Sequence, residues 1–510
     1  MSLLNTLVLV PFLTAFAVLL VPGNYRFVIR CLALSGSLVT AVLGVVLFFR
    51  FVPGAPGFQF DSSVDWVASG ILQIKFHTGA DGISIGMLLV AAVVGFAAVA
   101  VSWEIERQAK VYYILLLAII GGALGAFASL NLFFFYFFNE IALVPTFIMI
   151  GVWGRGENRN YAAFQITLYL TLGALVGLVG LIALYSVSGA GSLDIVELQR
   201  QIALTPIAPG MQDFIFLCLV LGFGTLVGLF PFHSWAPQGY ACAPTATAML
   251  HAGILKKAGL FALLRVALPM LPGAVSRWGW ILAVLCVGNL LYCGFVAMRQ
   301  RDLNLLIGNS SLAHMGFAFL GLATVNVLGV TGTVLVMVSH ALLAALSFAL
   351  SGWLRRQAGT VDIDRLGGLL ARMPFIGAVM VACFLAGCGV PGFANFAGEL
   401  TVLFGAWHPL PWAVVAAAWS GLVIGGVYML RAIRRILHGE ARPELAEARD
   451  AATWWRRLPF AILVAGLLFF GIFPNTLANR IRPAAVDVVR LATKSGPAPA
   501  VKAAPAAHAK

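Results

Sequence analysis

The chain has 510 residues, of which 61% are hydrophobic and only 10% charged, with a formal net charge of +13. Apolar runs of about 20 residues recur along nearly its whole length, which places it among polytopic membrane proteins rather than water-soluble domains. The basic excess needs no nucleic-acid partner, because basic loops on one side of a bilayer account for it.

Fourteen spans are expected, at about 3–22, 28–49, 82–103, 111–129, 130–153, 161–187, 213–231, 244–268, 278–298, 303–325, 329–354, 374–406, 411–436 and 458–478. The first run has no Lys or Arg before it and does not read as a cleaved signal peptide. The loops joining odd to even spans hold nineteen basic residues, among them Arg107, Arg299, Arg301, Arg356 and Arg435, whereas the other loops hold five, one of them Arg265 at a span end. Such a bias puts both termini on the non-cytoplasmic side, and a bacterial inner membrane is the expected location.

Outside the spans, residues 51–81 read as a long external loop and 192–203 as a short interfacial amphipathic helix. The tail from about 483 is rich in Ala, Pro and Lys and is expected to be disordered. Seven cysteines show no metal-type spacing, and most lie in apolar runs, where Cys acts as a small hydrophobe.

Two spans are interrupted by Gly and Pro, at 222–244 (GFGTLVGLFPFHSWAPQGYACAP) and 386–400 (AGCGVPGFANFAGEL). Pro lacks a backbone donor, and backbone groups freed in lipid must be satisfied by protein or by a wet cavity. Matched interruptions in two halves are the mark of an inverted-repeat transporter. The fold expected is therefore all-α, with about fourteen membrane helices, two inverted five-helix repeats (spans 4–8 and 9–13), and spans 7 and 12 discontinuous. The corresponding units are 1–110, with the first three spans and the external loop; 111–268 and 278–436, the two repeats; 458–482, the final span; and 483–510, the tail. Two unrelated loops with Pro kinks are the plainer alternative.

Few ionisable groups fall inside spans: Glu140, Lys256, Lys257 and Glu399, joined by His251, His314 and His340. A charge at the centre of a membrane helix costs about 2.5–3.5 kcal/mol on insertion scales, so two adjacent lysines some twelve residues into a span call for a function. Titratable groups removed from water and linked by hydroxyls such as those of Ser310, Ser311, Ser339 and Ser347 can pass protons in steps. Each has a plainer role as well. One lysine can snorkel to an interface, Glu399 can cap the half-helix after the break, and the histidines can be satisfied core residues. His233, in the broken segment FPFHSWAP, either titrates or positions that loop. No P-loop, dinucleotide fingerprint, iron–sulfur cysteine set or haem pair is present, so transport rather than chemical transformation is expected.

Long motifs then carry a resemblance. FFNEIALVPTFIMIGVWG, FPFHSWAP, APTATAMLHAGILKKAGLFALLR, NSSLAHMGF, VSHALLAALSFALSGWL, GVPGFANFAGELTVLFG and GIFPN closely resemble the proton-channel subunits of respiratory complex I, a NADH:quinone oxidoreductase. The same superfamily includes Mrp-type cation/proton antiporter subunits and membrane subunits of energy-converting hydrogenases. The resemblance covers spans 3 to 14 and is best with the M-type subunits. L-type subunits carry a further lateral helix and span, and N-type subunits a lysine at the Glu399 position.

The resemblance implies a proton-transfer axis of Glu140 in span 5, Lys257 in span 8, the central histidines His314 and His340, and Glu399 ending the second half-channel. It further implies that quinone, NADH, FMN and iron–sulfur clusters bind in partner subunits and none in this chain, and that L- and N-type subunits are its neighbours. An Mrp-type antiporter or a complex I-related hydrogenase is the alternative host, and a structural subunit that no longer pumps is a third.

The chain also departs from the family pattern. Leu226 stands where the family has the span 7 lysine that pairs with the span 5 glutamate. Gln238, Tyr240, the pair Asn304–Leu305 and Asn309 replace an Asp, a His, a basic pair and a Tyr. Lys256 is then expected to substitute as the partner of Glu140, or Glu140 to be protonated at rest.

Overall fold

The computed structural model describes residues 2–68, 73–440, 442 and 447–493. The first helices, α1 (Leu3–Leu20) and α2 (Arg26–Arg50), lie at the periphery and leave much of their surface to lipid. The stretch expected as an open loop is instead an antiparallel hairpin of β1 (Gln59–Ala68) and β2 (Gln73–Ala80), with Val64 opposite Phe76 and Ser62 opposite Thr78. Alternating Phe, Val and Thr positions supply a face that fits a pleated strand, a period that the Pro- and Gly-rich approach to it obscures.

Helix α3 (Gly82–Val101) begins at Asp81, whose carboxylate accepts from the Ile83 and Ser84 amides while the Ser84 hydroxyl accepts from the Asp81 amide. The chain continues through α4 (Ala109–Ala128), α5 (Leu132–Trp153), α6 (Arg159–Ser188) and the short amphipathic α7 (Ile195–Leu204) to α8 (Pro209–Val227). At Gly228 the helix stops, with φ at +88°. A turn follows, then α9 (Trp235–Cys242) and a helix at residues 245–270 (α10), which contains π-helical turns at His251–Leu255 and Leu263–Ala267.

The second half comprises α11 (Pro272–Arg299), α12 (Leu303–Ala323), α13 (Val327–Ala358), the broken pair α14 (Pro374–Gly387) and α15 (Ala394–Ala406), and α16 (Pro411–Leu437). Helices α17 (Trp454–Ile472) and α18 (Asn475–Thr493) close the chain. Among the described residues, twelve helices are long and apolar enough to cross a membrane, which makes this a multi-pass membrane protein. Residues 483–493, assigned by composition to a disordered tail, belong to amphipathic α18, which packs on α3 and α13; residues 494–510 lie outside the described residues.

Helix α13 is enclosed on all sides and forms the centre of the bundle. Small residues permit this. A Cβ on Gly332 would come 2.7 Å from the Val402 amide, and one on Gly405 2.6 Å from that of Gly329. Backbones that approach so closely gain the van der Waals contact that drives helix association in lipid. Asn326 locks the joint, accepting from the Gly329 amide at 2.8 Å and donating to the Gly405 carbonyl at 2.7 Å.

Candidate functional site: a buried row of titratable side chains

Each broken helix satisfies locally the backbone groups freed at its break. At the first break, Asn289 on α11 accepts from the Phe230 amide at 2.8 Å and donates to the Gly228 carbonyl at 2.8 Å, while Trp235 Nε1 donates to the Thr225 carbonyl at 3.1 Å. At the second, Cys388, Gly389 and Val390 donate back into the end of α14. Pro and Gly are tolerated at this depth because protein groups satisfy what they free.

Helix α10 runs beside the first break, where a Cβ on Gly259 would run into the Phe223 carbonyl oxygen. Lys256 and Lys257 are both wholly buried. Adjacent helical residues point about 100° apart, so the two must find different partners. Lys257 Nζ lies 2.8 Å from His340 Nδ1 on α13 and also donates to the Ala252 carbonyl. Lys256 Nζ donates to Ser311 on α12, at 2.6 Å to the hydroxyl and 3.2 Å to the carbonyl, beneath the Tyr240 ring. A π-helical turn ends at Leu255, just before the pair, and a Cβ on Gly253 within it would come 3.1 Å from the Ala341 carbonyl oxygen of α13.

Beyond His340 the row continues. The rings of His340 and His314 are 5.6 Å apart, and His314 Nδ1 lies 2.9 Å from Glu399 Oε1. Glu399 sits on the second turn of α15, with its other oxygen facing Gly389 in the break. Nearby, the Tyr428 hydroxyl donates to Ser310 at 3.0 Å, one residue from the Lys256 acceptor. The structure thus brings Lys256, Lys257, His340, His314 and Glu399 into one enclosed region.

The other candidates make no hydrogen bond to that row, although Tyr240 links His251 to the Lys256 side of it. His251 packs edge-on against Trp235 and meets the Tyr240 hydroxyl at 3.3 Å. His233 stacks on Phe230 and bonds the Pro231 carbonyl, which fits a loop-positioning role.

Glu140 is half-buried at the lipid-side edge of α5. It lies on a stripe of α5 with Phe137, Val144 and Ile148, which are 45%, 48% and 42% exposed, and Tyr136 sits beside its carboxyl. Its Oε1 is buried without a hydrogen-bond partner. Lys256 is therefore not the substitute partner of Glu140 that the missing lysine suggested. The helix rotation that buries Lys256 aims it at α12, and Leu226 is a buried core side chain.

Sequence reasoning also missed a second buried charge pair. Arg265, assigned to a span end, makes two bonds to Asp81, at 2.7 and 2.6 Å, with both side chains nearly enclosed. The signal available was an Asp directly ahead of an apolar run, at the end of the stretch read as an external loop. Its coupling to a residue 184 positions away is visible only in three dimensions. Among the described residues, no group of three or more His, Cys, Asp or Glu side chains is placed to hold a metal ion.

Fold and site together define a class: helical membrane proteins in which two interrupted helices flank an enclosed row of titratable side chains. Residues 129–425 match the model of the family described as "NADH:quinone oxidoreductase/Mrp antiporter, TM". NADH-quinone oxidoreductase subunit M of Rhodobacter capsulatus is 32% identical over 470 residues, with 90% of each chain covered. F(420)H(2) dehydrogenase subunit M of Methanosarcina mazei is 33% identical over 500 residues, covering 96% of this chain and 99% of that one. A chain of respiratory complex I from Thermus thermophilus superposes with a TM-score of 0.86 at 27% identity, covering 96% of this chain and 99% of that one. A chain of an archaeal membrane-bound sulfane sulfur reductase shares the fold, with a TM-score of 0.81 at 21% identity and coverage of 96% and 98%. The chain belongs to the NADH:quinone oxidoreductase/Mrp antiporter transmembrane family.

Proposed function

We propose that the chain is a proton-translocating membrane subunit of a complex I-like NADH:quinone oxidoreductase, and that protons move along Lys257, His340, His314 and Glu399. The observation that carries this reading is His314. One ring nitrogen meets Glu399 at 2.9 Å, its other nitrogen is buried without a protein partner, and its ring faces His340, which itself meets Lys257 at 2.8 Å. A titratable group with one committed and one open nitrogen can accept a proton on one side and release it on the other. Lys256 and Ser311 join the row from the side, and the charge on one lysine biases the protonation of the other.

Counting α10 and the broken pair α14–α15 as crossings brings the twelve long helices to fourteen, with breaks at α8–α9 and α14–α15 in matching places of two inverted repeats. The basic loops then face the cytoplasm of a bacterial inner membrane, and both termini lie outside. Redox centres and quinone sites are assigned to partner subunits. The outward stripe of Glu140 is assigned to a neighbouring antiporter-like subunit of L or N type. Relatives in both NADH- and F420H2-oxidising complexes support a conserved proton module served by different electron donors.

The test is reconstitution of the complex in proteoliposomes with Lys257→Ala and, separately, Glu399→Ala. Proton translocation per electron is expected to fall in both. An unchanged ratio in both would refute the row as the proton path.

A further inference from the structure

On the face that carries the basic loops, a cavity of about 850 Å³ opens between the end of α11, the end of α16 and residues 363–366. Six arginines line it (Arg299, Arg301, Arg431, Arg434, Arg435 and Arg442) against one carboxylate, Asp364. Part of this set is fixed in place. Arg431 donates to the Met298 and Gln300 carbonyls, and Asp364 takes Arg435 and, at 3.6 Å, Arg301. Asp364 is thereby already engaged. Among the described residues, Arg299 and Arg434 enter no ion pair, and Arg431 Nε is buried without an acceptor. So many guanidinium groups at close range repel one another unless an anion joins them, and planar forks of this kind suit phosphate oxygens.

The surroundings say which phosphate. Helices α11 and α16 pack tightly below the cavity, where Ser420 donates to the Leu290 carbonyl at 2.7 Å and a Cβ on Gly294 would come 2.9 Å from Ile424. Two exposed apolar stripes flank this seam. Tyr292 and Phe295 lead to Arg299 along α11, and Val427 and Leu430 lead to Arg434 along α16, each at helical spacing on one face. A basic cavity at the membrane surface that continues into a lipid-facing seam matches a molecule with a phosphate at one end and acyl chains at the other.

We propose that this cavity binds the headgroup of an anionic glycerophospholipid, whose acyl chains lie along the seam between α11 and α16. Arg299 and Arg434 hold the phosphate, and Arg431, anchored on α11, positions them across the two helices.

The experiment uses the intact complex, delipidated in neutral detergent and titrated with phosphatidylglycerol, phosphatidylcholine or inorganic pyrophosphate, with bound lipid counted by native mass spectrometry. A photoreactive phosphatidylglycerol is used in parallel to label the complex. Phosphatidylglycerol is expected to bind at least about tenfold more tightly than phosphatidylcholine and to label the peptide containing 292–299. Arg299→Gln with Arg434→Gln is expected to remove that preference, and Arg299→Lys with Arg434→Lys to retain most of it. Equal binding of the two lipids, or labelling that leaves 292–299 unmarked because another subunit covers the cavity, would overturn the proposal. Saturation by millimolar pyrophosphate with no gain from lipid would overturn it in favour of a free polyphosphate site.

Discussion

Lys257 Nζ and His340 Nδ1 lie 2.8 Å apart, on different helices, in a region closed to solvent on every side. At this distance the charge state of each acts directly on the other. That dependence makes the pair one unit, and coupled groups titrate as a unit rather than singly. Lys257→Met and His340→Phe are each expected to abolish most proton translocation, with the double variant little worse than either single one. Translocation per electron in proteoliposomes decides this, and losses that multiply would show two independent steps.

Lys256 is tied to Ser311, not to Glu140. Residues without shared partners give additive effects, within about 0.3–0.5 kcal/mol, whereas hydrogen-bonded pairs couple by more. A double-mutant cycle of Lys256→Met with Ser311→Ala is expected to show coupling, and one of Lys256→Met with Glu140→Gln none. Thermal unfolding of the purified complex gives both cycles, and a strong Lys256–Glu140 term would contradict the geometry.

Arg265 and Asp81 form an enclosed two-bonded pair that ties α10 to the start of α3. Removing one member strands a buried charge, at a cost of roughly 3–5 kcal/mol. Arg265→Ala is expected to destabilise the complex by about that much, and Arg265→Met with Asp81→Asn by much less. Denaturation midpoints in detergent compare the two, and equal losses would mean that packing rather than charge is at stake.

Outside the membrane helices, His77 on β2 bridges Asp194, at the start of α7, and Asp61 on β1, the latter at 2.7 Å. The Asp194 hydrogen bond outweighs burial and raises the His77 pKa. Burial works against ionised Asp194 too, but the His77 bond and the Glu197 and Val196 amides overcome it and lower its pKa. The His77 contribution is therefore full below its ordinary value of about 6.5 and lost as pH rises through the raised one. That of Asp194 is full above about 3.9 and lost as pH falls through the lowered one. Hydrogen-exchange protection of residues 59–68 and 73–80, relative to the intrinsic rate at each pH, is expected to be greatest between about pH 3.9 and 6.5 and to fall on the alkaline side. His77→Gln should flatten the alkaline limb; an unchanged limb would assign it elsewhere.

The membrane class, the positions of nearly all long helices, both breaks and the candidate charges were legible in the sequence. Apolar runs, Gly–Pro interruptions and intramembrane charge are local signals with few competing explanations in a bilayer. The hairpin at 59–80 and helix α18 were not, because a two-stranded ribbon and an amphipathic helix held by tertiary packing leave weak periodic signals beside Pro, Gly and Ala.

The sequence by itself determined which side chains are costly to bury and that two lysines adjoin. It could not determine where they point. The approach of α12 and α13 to α10 paired Lys257 with His340 and Lys256 with Ser311, while Glu140 on α5 is half-buried with no hydrogen-bond partner for its Oε1. Pairings between residues scores of positions apart, such as Lys257–His340, His314–Glu399 and Arg265–Asp81, are fixed by helix packing, and packing is a property of the whole bundle rather than of any one stretch of chain.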